Sequence, residues 1–221
     1  MDNLISGCNF TLKHYREALV KAKQNYEFST FKDYGKNKHK PFVIVLRHDI
    51  DMNMHHALNT ARIEHELGIS ATYFVRVNAE YNMFYYHNYK IIKELIAMGH
   101  EIALHVTEDL GRLFGEDNID MVARQKAIIE AITGDKCYGF STHEPVRTGQ
   151  AISDKDLKKY NISYQAYSPI FTKDMKYISE SAGRWYEGCM CNFTSQPKKY
   201  PKLCILTHPV WWYDKSPVQN F

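Results

Sequence analysis

The sequence lacks a long apolar run and a strong charge of either sign. No stretch among its 221 residues reaches the roughly 18 consecutive apolar residues of a membrane-spanning helix. The first ten residues, MDNLISGCNF, lack the basic and apolar parts of a secretory signal peptide, so we expect a cytoplasmic protein with no membrane span. Lysine and arginine exceed aspartate and glutamate by only three, and basic residues cluster only in 32–40, a predicted solvated loop. We therefore expect no nucleic-acid partner.

Cysteine is scarce and irregularly spaced. The five cysteines are an odd number without the spacing of a disulfide framework, which favours a reducing compartment. Cys189 and Cys191 are one residue apart, but a CxC pair without a second cysteine or histidine pair nearby in the sequence is a weak zinc signal. We therefore expect neither a disulfide-stabilised domain nor a zinc site from these residues.

The chain also lacks a glycine-rich dinucleotide fingerprint, an internal repeat and a low-complexity segment. Instead, β-rich runs alternate with amphipathic helical stretches, and a further helix is predicted at 12–26. The pattern predicts an α/β fold, a distorted (β/α) barrel with about seven parallel strands preceded by an N-terminal helix, with an open doubly wound sheet as the alternative. We expect one domain over 1–221, with the helix and basic loop in 1–40 and the barrel in 42–213. The β-rich runs are 42–49, 71–77, 101–106, 137–143, 162–167, 175–179 and 203–208; the helical stretches between them are 53–67, 89–98, 121–133 and 154–160.

Polar residues gather at the C-terminal ends of four predicted strands. In a parallel barrel these ends share one face, which is where such folds place their active sites. Carboxylate oxygen and imidazole nitrogen are the ligands that zinc and similar divalent ions prefer, and three protein ligands leave one position open for water. We therefore predict a metal-dependent site at this face. The polar residues at these ends are Arg47, His48, Asp49, Asp51, His105, His143 and His208, and the predicted site consists of the two carboxylates and the last three histidines.

Four segments resemble motifs of the polysaccharide deacetylase family, also called carbohydrate esterase family 4 or the NodB homology domain. RHDID at 47–51 is similar to the motif that holds an aspartate base and an aspartate metal ligand. GHEIALH at 99–105 resembles the segment leading to the metal-binding histidine, and LTHP at 206–209 resembles the motif of the general acid. ATYF at 71–74 is similar to the second strand of the family. The resemblance covers about 42–213.

The resemblance implies roles for four residues. Asp49 corresponds to the catalytic base, Asp51 and His105 to metal ligands, and His208 to the general acid that protonates the departing amine. The cofactor it implies is a divalent metal, Zn²⁺ first, with Co²⁺, Mn²⁺ or Ni²⁺ as alternatives. The implied reaction is the hydrolytic removal of an N-acetyl or other N-acyl group from a sugar, in the biosynthesis of surface polysaccharides or glycan precursors.

The sequence departs from the family pattern at three places, which marks a variant subgroup. Ile50 separates the two aspartates, which are adjacent in the family. The usual second histidine is Asp109 here, so we expect His143 as the third metal ligand, with Asp109 as the alternative. The arginine-proline motif is reduced to STHEP, with Arg147 nearby.

Aromatic residues after two strands are the candidates for a sugar platform. The first aromatic run is interrupted by polar residues and lies beyond the end of a strand. Such a run is an unusual core segment, so we expect it to contact substrate. Two other functions remain open: a related metal-dependent amide hydrolase, such as a deformylase or cyclic amidase, and a degenerate non-catalytic sugar-binding protein. The predicted substrate-binding residues are Tyr81, Tyr85, Tyr86, Arg147 and Trp211.

Overall fold

The computed structural model describes residues 8–107, 113–144, 152 and 154–215. In chain order the strands are β1 Glu27–Ser29, β2 Val43–Ile50, β3 Thr72–Val75, β4 Glu101–Val106, β5 Gly139–Thr142, β6 Tyr164–Gln165, β7 Lys176–Ser181, β8 Arg184–Trp185 and β9 Lys202–Thr207. The helices are α1 Leu12–Lys23, α2 Tyr34–Asn37, α3 His55–Glu66, α4 Tyr86–Ala97, α5 Asn118–Thr133, α6 Asp154–Lys159, α7 Pro169–Thr172 and α8 Cys191–Thr194, with a 3₁₀ turn at Pro209–Trp211.

The sheet confirms the predicted fold, a distorted (β/α) barrel behind an N-terminal helix. Its strands follow the order β6-β5-β4-β3-β2-β9-β7-β8, and β1 pairs with the beginning of β2. All neighbours are parallel except β7 and β8. Within the described residues the outermost strands, β6 and β8, do not pair with each other, so the barrel is incompletely closed. Each of the β-rich runs predicted from the sequence overlaps one of these strands.

The central strand β2 is buried on both faces, and the two faces carry different side chains. Successive residues of a strand point to opposite faces. Val45 packs inside the barrel, whereas Leu46 packs on the outer face against the helices. Arg47 and Asp49 therefore share the inner face with Val45, while His48 lies on the outer face with Leu46. This alternation decides which polar residues can reach the mouth of the barrel.

Helices cover the outer face of the sheet. α1 begins at its cap Thr11, whose hydroxyl accepts a 3.1 Å hydrogen bond from the backbone N–H of His14. It packs Tyr15 and Leu19 into the outer core. α5 ends at Gly134, which has φ 71°, a conformation that glycine adopts without a steric penalty. Among the described residues, no helix combines the length and the apolar character that crossing a membrane requires.

Several short elements were not predicted from the sequence: β1, β8, α2, α7, α8 and the 3₁₀ turn. Strands β1 and β8 have three and two residues, too few to show an alternating pattern. The segment 32–40, expected to be a solvated loop, contains helix α2. Tyr34 of this helix is buried, and its ring lies 5.6 Å from that of Phe171. Tyr34 therefore holds the basic segment 32–40 against the end of the barrel at which the strands begin.

Candidate active site

Five of the predicted site residues meet at the C-terminal edge of the sheet. Parallel, in-register pairing places the end of β2 beside that of β9, and the end of β4 beside that of β5. Each residue lies in the last part of one of these strands or within two residues after it. The five are Asp49, Asp51, His105, His143 and His208.

Three of these residues form a candidate metal centre. The Nε2 atoms of His105 and His143 lie 3.1 Å and 3.7 Å from Oδ1 of Asp51, and the three ligand atoms lie within 4.8 Å of one another. Oδ1 of Asp51 is buried and accepts no hydrogen bond. Burial and the neighbouring His105 lower the pKa of His143, which favours the neutral imidazole that a metal ligand requires. One carboxylate oxygen and two imidazole nitrogens fit a divalent ion such as zinc.

The hydrogen bond on the far side of His105 sets its orientation. Nδ1 lies 3.0 Å from the backbone carbonyl oxygen of Ser141, and a carbonyl only accepts, so Nδ1 carries the proton. In the neutral ring, Nε2 then presents its lone pair to Oδ1 of Asp51 at 3.1 Å and Oδ2 of Asp49 at 3.4 Å. A lone pair facing two carboxylates is repulsive unless a cation lies between them. A backbone carbonyl behind a histidine ligand is a frequent feature of metal sites.

Asp49 forms a buried ion pair with Arg47. The guanidinium donates two hydrogen bonds to the carboxylate, from Nε to Oδ1 at 2.8 Å and from Nη2 to Oδ2 at 2.7 Å. Arg47 also donates to the hydroxyl of Ser141 and lies 4.6 Å from the centre of the Tyr167 ring. Burial favours the neutral form of Asp49, but the charge and hydrogen bonds of Arg47 outweigh it and hold the pKa of Asp49 well below the ordinary value. Asp49 is therefore a fixed carboxylate at the edge of the metal centre.

His208 faces the same centre from the opposite side and is held by Glu180. Its Nδ1 and its backbone N–H lie 3.1 Å and 2.8 Å from Oε2 of Glu180, and its Nε2 lies 3.5 Å from Oδ2 of Asp51. Burial opposes protonation, but the hydrogen bond to Glu180 and the charge of Asp49 raise the pKa of His208. The imidazolium is thus favoured, as a proton donor requires.

These groups open into a cavity of about 680 Å³. Its walls include three tyrosines that sequence analysis did not select: Tyr167, Tyr177 and Tyr186. Tyr186 is 71% exposed, while Tyr167 contacts Arg47. Tyr167 was identifiable from the sequence, because it is the last residue of the fifth β-rich run. The predicted site histidines also lie at the ends of β-rich runs. Tyr186 follows the short strand β8, which the sequence did not reveal.

The predicted substrate-binding aromatics do not line this cavity. Tyr81 is only 8% exposed, and its hydroxyl donates to the carbonyl oxygen of Ile50 at 2.7 Å, so it belongs to the core rather than to the surface. Tyr85 and Tyr86 are 58% and 70% exposed at the start of α4. Trp211 is partly buried against the core. A role in substrate binding stays a prediction for these residues.

One further polar residue at the end of β2 lies away from the centre. His48 faces away from it, on the outer side of β2, where its Nε2 lies 2.8 Å from Oε1 of the buried Glu64. The alternation of the strand turns the side chain of His48 toward the helices, so His48 does not join the site. Asp109 and Arg147 lie outside the described residues, so the choice between Asp109 and His143 as third ligand stays a prediction.

Among known proteins, matches to this chain come from solved structures. No protein-family model and no curated protein matches the chain. Five chains of solved structures match it. This chain is similar in fold to CE4 family polysaccharide deacetylases.

Three of the matching structures come from two proteins. BA3943 of Bacillus anthracis, a CE4 family pseudoenzyme, matches with 15% identity and a TM-score of 0.48, over 77% of this chain and 55% of BA3943. Its mutant with restored enzymatic activity matches with 15% identity and a TM-score of 0.49, over 77% and 57%. The polysaccharide deacetylase Bc1974 from Bacillus cereus matches with 16% identity and a TM-score of 0.48, over 76% and 80%. The chain thus spans little more than half the length of BA3943.

Proposed function

We propose that the chain is a metal-dependent hydrolase that removes an N-acetyl or other N-acyl group from a sugar. The observation that carries the proposal is the grouping of three functions around one cavity. A candidate metal centre lies between a charged carboxylate, Asp49, and a histidine, His208, whose protonated form is favoured. Hydrolysis of an amide needs these three functions, because water must lose a proton while the departing amine gains one.

Asp51, His105 and His143 are the residues that would hold the metal. A divalent ion there would lower the pKa of water and polarise the acyl carbonyl. The carbonyl of Ser141 fixes the His105 ring so that its Nε2 points to this position. Zn²⁺ is the ion that this mixture of donors favours.

Asp49 accepts the proton from the attacking water in this proposal. Arg47 binds both of its oxygens, which fixes the plane of the carboxylate beside the metal ligands. Each oxygen keeps a second lone pair for a proton, because the arginine occupies only one. The charge of Arg47 also prevents Asp49 from taking up a proton before the reaction begins.

His208 protonates the amine that leaves. Glu180 accepts the hydrogen bond from Nδ1, so the second proton of the imidazolium lies on Nε2, which points toward Asp51 and the cavity. Glu180 is itself held by the backbone N–H of Gly183 at 2.8 Å. General acid catalysis of this kind contributes about 10² to 10⁴ in rate.

The cavity suits a small saccharide. About 680 Å³ lies within the range of small-molecule sites, and the tyrosines at its wall offer flat apolar faces beside polar groups. We infer an N-acetylated precursor sugar as substrate and one catalytic domain that includes the barrel residues 42–213. The cytoplasmic location stays a prediction, which fractionation of cells that produce the native protein would test.

Acetate release tests the proposal. Purified protein with a measured content of divalent metal is incubated with a panel of N-acetylated nucleotide sugars and oligosaccharides. We expect acetate from at least one precursor sugar, and release slower by about 10² to 10⁴ from Asp49→Asn with equal metal content. Bound metal without acetate release from any member would favour a related amide hydrolase. A protein that binds no divalent metal at Asp51, His105 and His143 would favour a sugar-binding role.

The third ligand is tested with two variants. His143→Ala should lose the metal of this centre, whereas Asp109→Asn should retain it. The opposite result would assign the position to Asp109.

A further inference from the structure

A second group of metal-binding side chains lies outside the candidate active site. Nε2 of His14 is 3.3 Å from Sγ of Cys189 and 3.6 Å from Sγ of Cys191. The ligand atoms of Cys8, His14 and Cys189 lie within 4.8 Å of one another. None of the three cysteines forms a disulfide, and each is partly buried. Three thiols and one imidazole therefore share one small volume.

The two ends of the chain build this cluster. Cys8 lies just before the cap of α1, and His14 lies in the first turn of that helix. Cys189 and Cys191 flank the buried Met190 at the start of α8. The preceding Gly188 has φ 98°, a backbone conformation that side chains disfavour.

The distances from His14 to two of the sulfurs fit a tetrahedral metal site. Zinc bonds of about 2.3 Å to sulfur and about 2.05 Å to nitrogen, at the tetrahedral angle, separate the two ligand atoms by about 3.6 Å. The two nitrogen-to-sulfur distances at His14, 3.3 Å and 3.6 Å, are close to this value. A disulfide would use two of the three sulfurs and leave the third thiol and the imidazole without a role.

We propose that Cys8, His14, Cys189 and Cys191 bind a structural Zn²⁺ ion. Three cysteines and one histidine form a closed ligand set, without the open position that a catalytic zinc needs. From the sequence alone, no zinc site is expected at the CxC pair, because no second pair lies near it in the sequence. The fold supplies that second pair, since Cys8 and His14 come from the opposite end of the chain.

The ion would help to hold the N-terminal segment around Phe10 against the segment that follows His208. The backbone of Phe10 and Leu12 pairs with Tyr213 through hydrogen bonds of 3.0 Å and 2.7 Å. The Phe10 ring lies 5.1 Å from that of Trp212, whose indole N–H donates to the hydroxyl of Thr207 at 2.6 Å. Binding free energy at such a site adds to folding free energy, so the zinc stabilises this junction.

Thiol titration of the unmodified protein tests the proposal without a variant. An organomercurial is added to protein purified under reducing conditions, and released zinc is followed with a chromogenic chelator. We expect one equivalent of zinc per chain to be released as the three thiols react. Zinc at the candidate active site has no sulfur ligand and stays bound, so the result is independent of the proposed function. Absence of thiol-dependent zinc release would overturn the assignment.

Cobalt substitution identifies the ligands. Co²⁺ bound to thiolates gives an intense sulfur-to-cobalt charge-transfer absorption in the near ultraviolet, which a site of carboxylate and imidazoles does not give. We expect this absorption in the wild type and in His105→Ala, and its loss in Cys191→Ala. The matched control is Cys137→Ala, which removes a buried thiol outside the cluster and should keep the absorption. Equal absorption in Cys191→Ala and the wild type, or a disulfide between two of the three cysteines in freshly purified protein, would refute the zinc site.

Discussion

Replacement of Arg47 by methionine tests whether the buried ion pair holds Asp49 ionised. Arg47 is fully buried and donates to both oxygens of Asp49, so Arg47→Met leaves a carboxylate in the barrel without a counter-charge. Methionine keeps most of the apolar volume of the arginine stem, which limits the packing loss. The expected result is a large loss of stability that depends on the charge of Asp49.

The magnitude follows from the burial of both partners. Removal of one member of a buried pair costs about 3–5 kcal/mol. For a domain of this size each kcal/mol shifts Tm by roughly 2–4 °C, so Tm should fall by roughly 6–20 °C. The low pKa of Asp49 stabilises the wild type above the ordinary carboxyl pKa of about 3.9, and this contribution is lost as pH falls. The difference between Arg47→Met and the wild type should therefore shrink from neutral toward acid pH.

Urea denaturation at equal metal content measures the effect. The matched control is Arg62→Met, which removes an arginine that is 57% exposed and lies 3.5 Å from Glu94; it should change stability by no more than about 1 kcal/mol. The double variant Arg47→Met/Asp49→Asn removes both charges and should be more stable than Arg47→Met alone. If the double variant is no more stable, or if Arg47→Met behaves like Arg62→Met, the ion pair does not have the role assigned to it.

Three further predictions concern the site. Asp49→Asn should keep the metal and lose about 10²–10⁴ in turnover, and loss of metal would mean that the roles of the two aspartates are reversed. His105→Ala should lose the metal of the active site while its far-ultraviolet circular dichroism stays unchanged; full retention of that metal would remove His105 from the ligands. Glu180→Gln removes the carboxylate that raises the pKa of His208, so the alkaline limb of the pH–rate profile should move to lower pH. An unmoved limb would show that another group is the acid.

The sequence predicted the strands and their polar ends because both depend on local patterns. Continuous apolar runs identify buried strands, and the topology of a parallel barrel then brings Asp49, His105 and His208 to one edge. Side-chain direction was less certain. Arg47, His48 and Asp49 are consecutive, and in a strand buried on both faces nothing in the pattern says which residue faces inward. Only the structure excludes His48 from the site, because its hydrogen bond to Glu64 lies on the outer face of the sheet, opposite the barrel interior.

Contacts between distant parts of the chain were the least predictable. The zinc signal at Cys189 and Cys191 is weak by itself, because its strength depends on a second ligand pair, and here 175 residues separate His14 from Cys189. Only the packing of α1 against the outer face of the barrel brings the two ends together. The same packing places Tyr15 4.7 Å from the Trp212 ring. The position of α1 thus builds the cysteine cluster and supports the segment that follows His208. Loss of the cluster should therefore affect the active site by displacing this helix, and not by removing the metal of the active site.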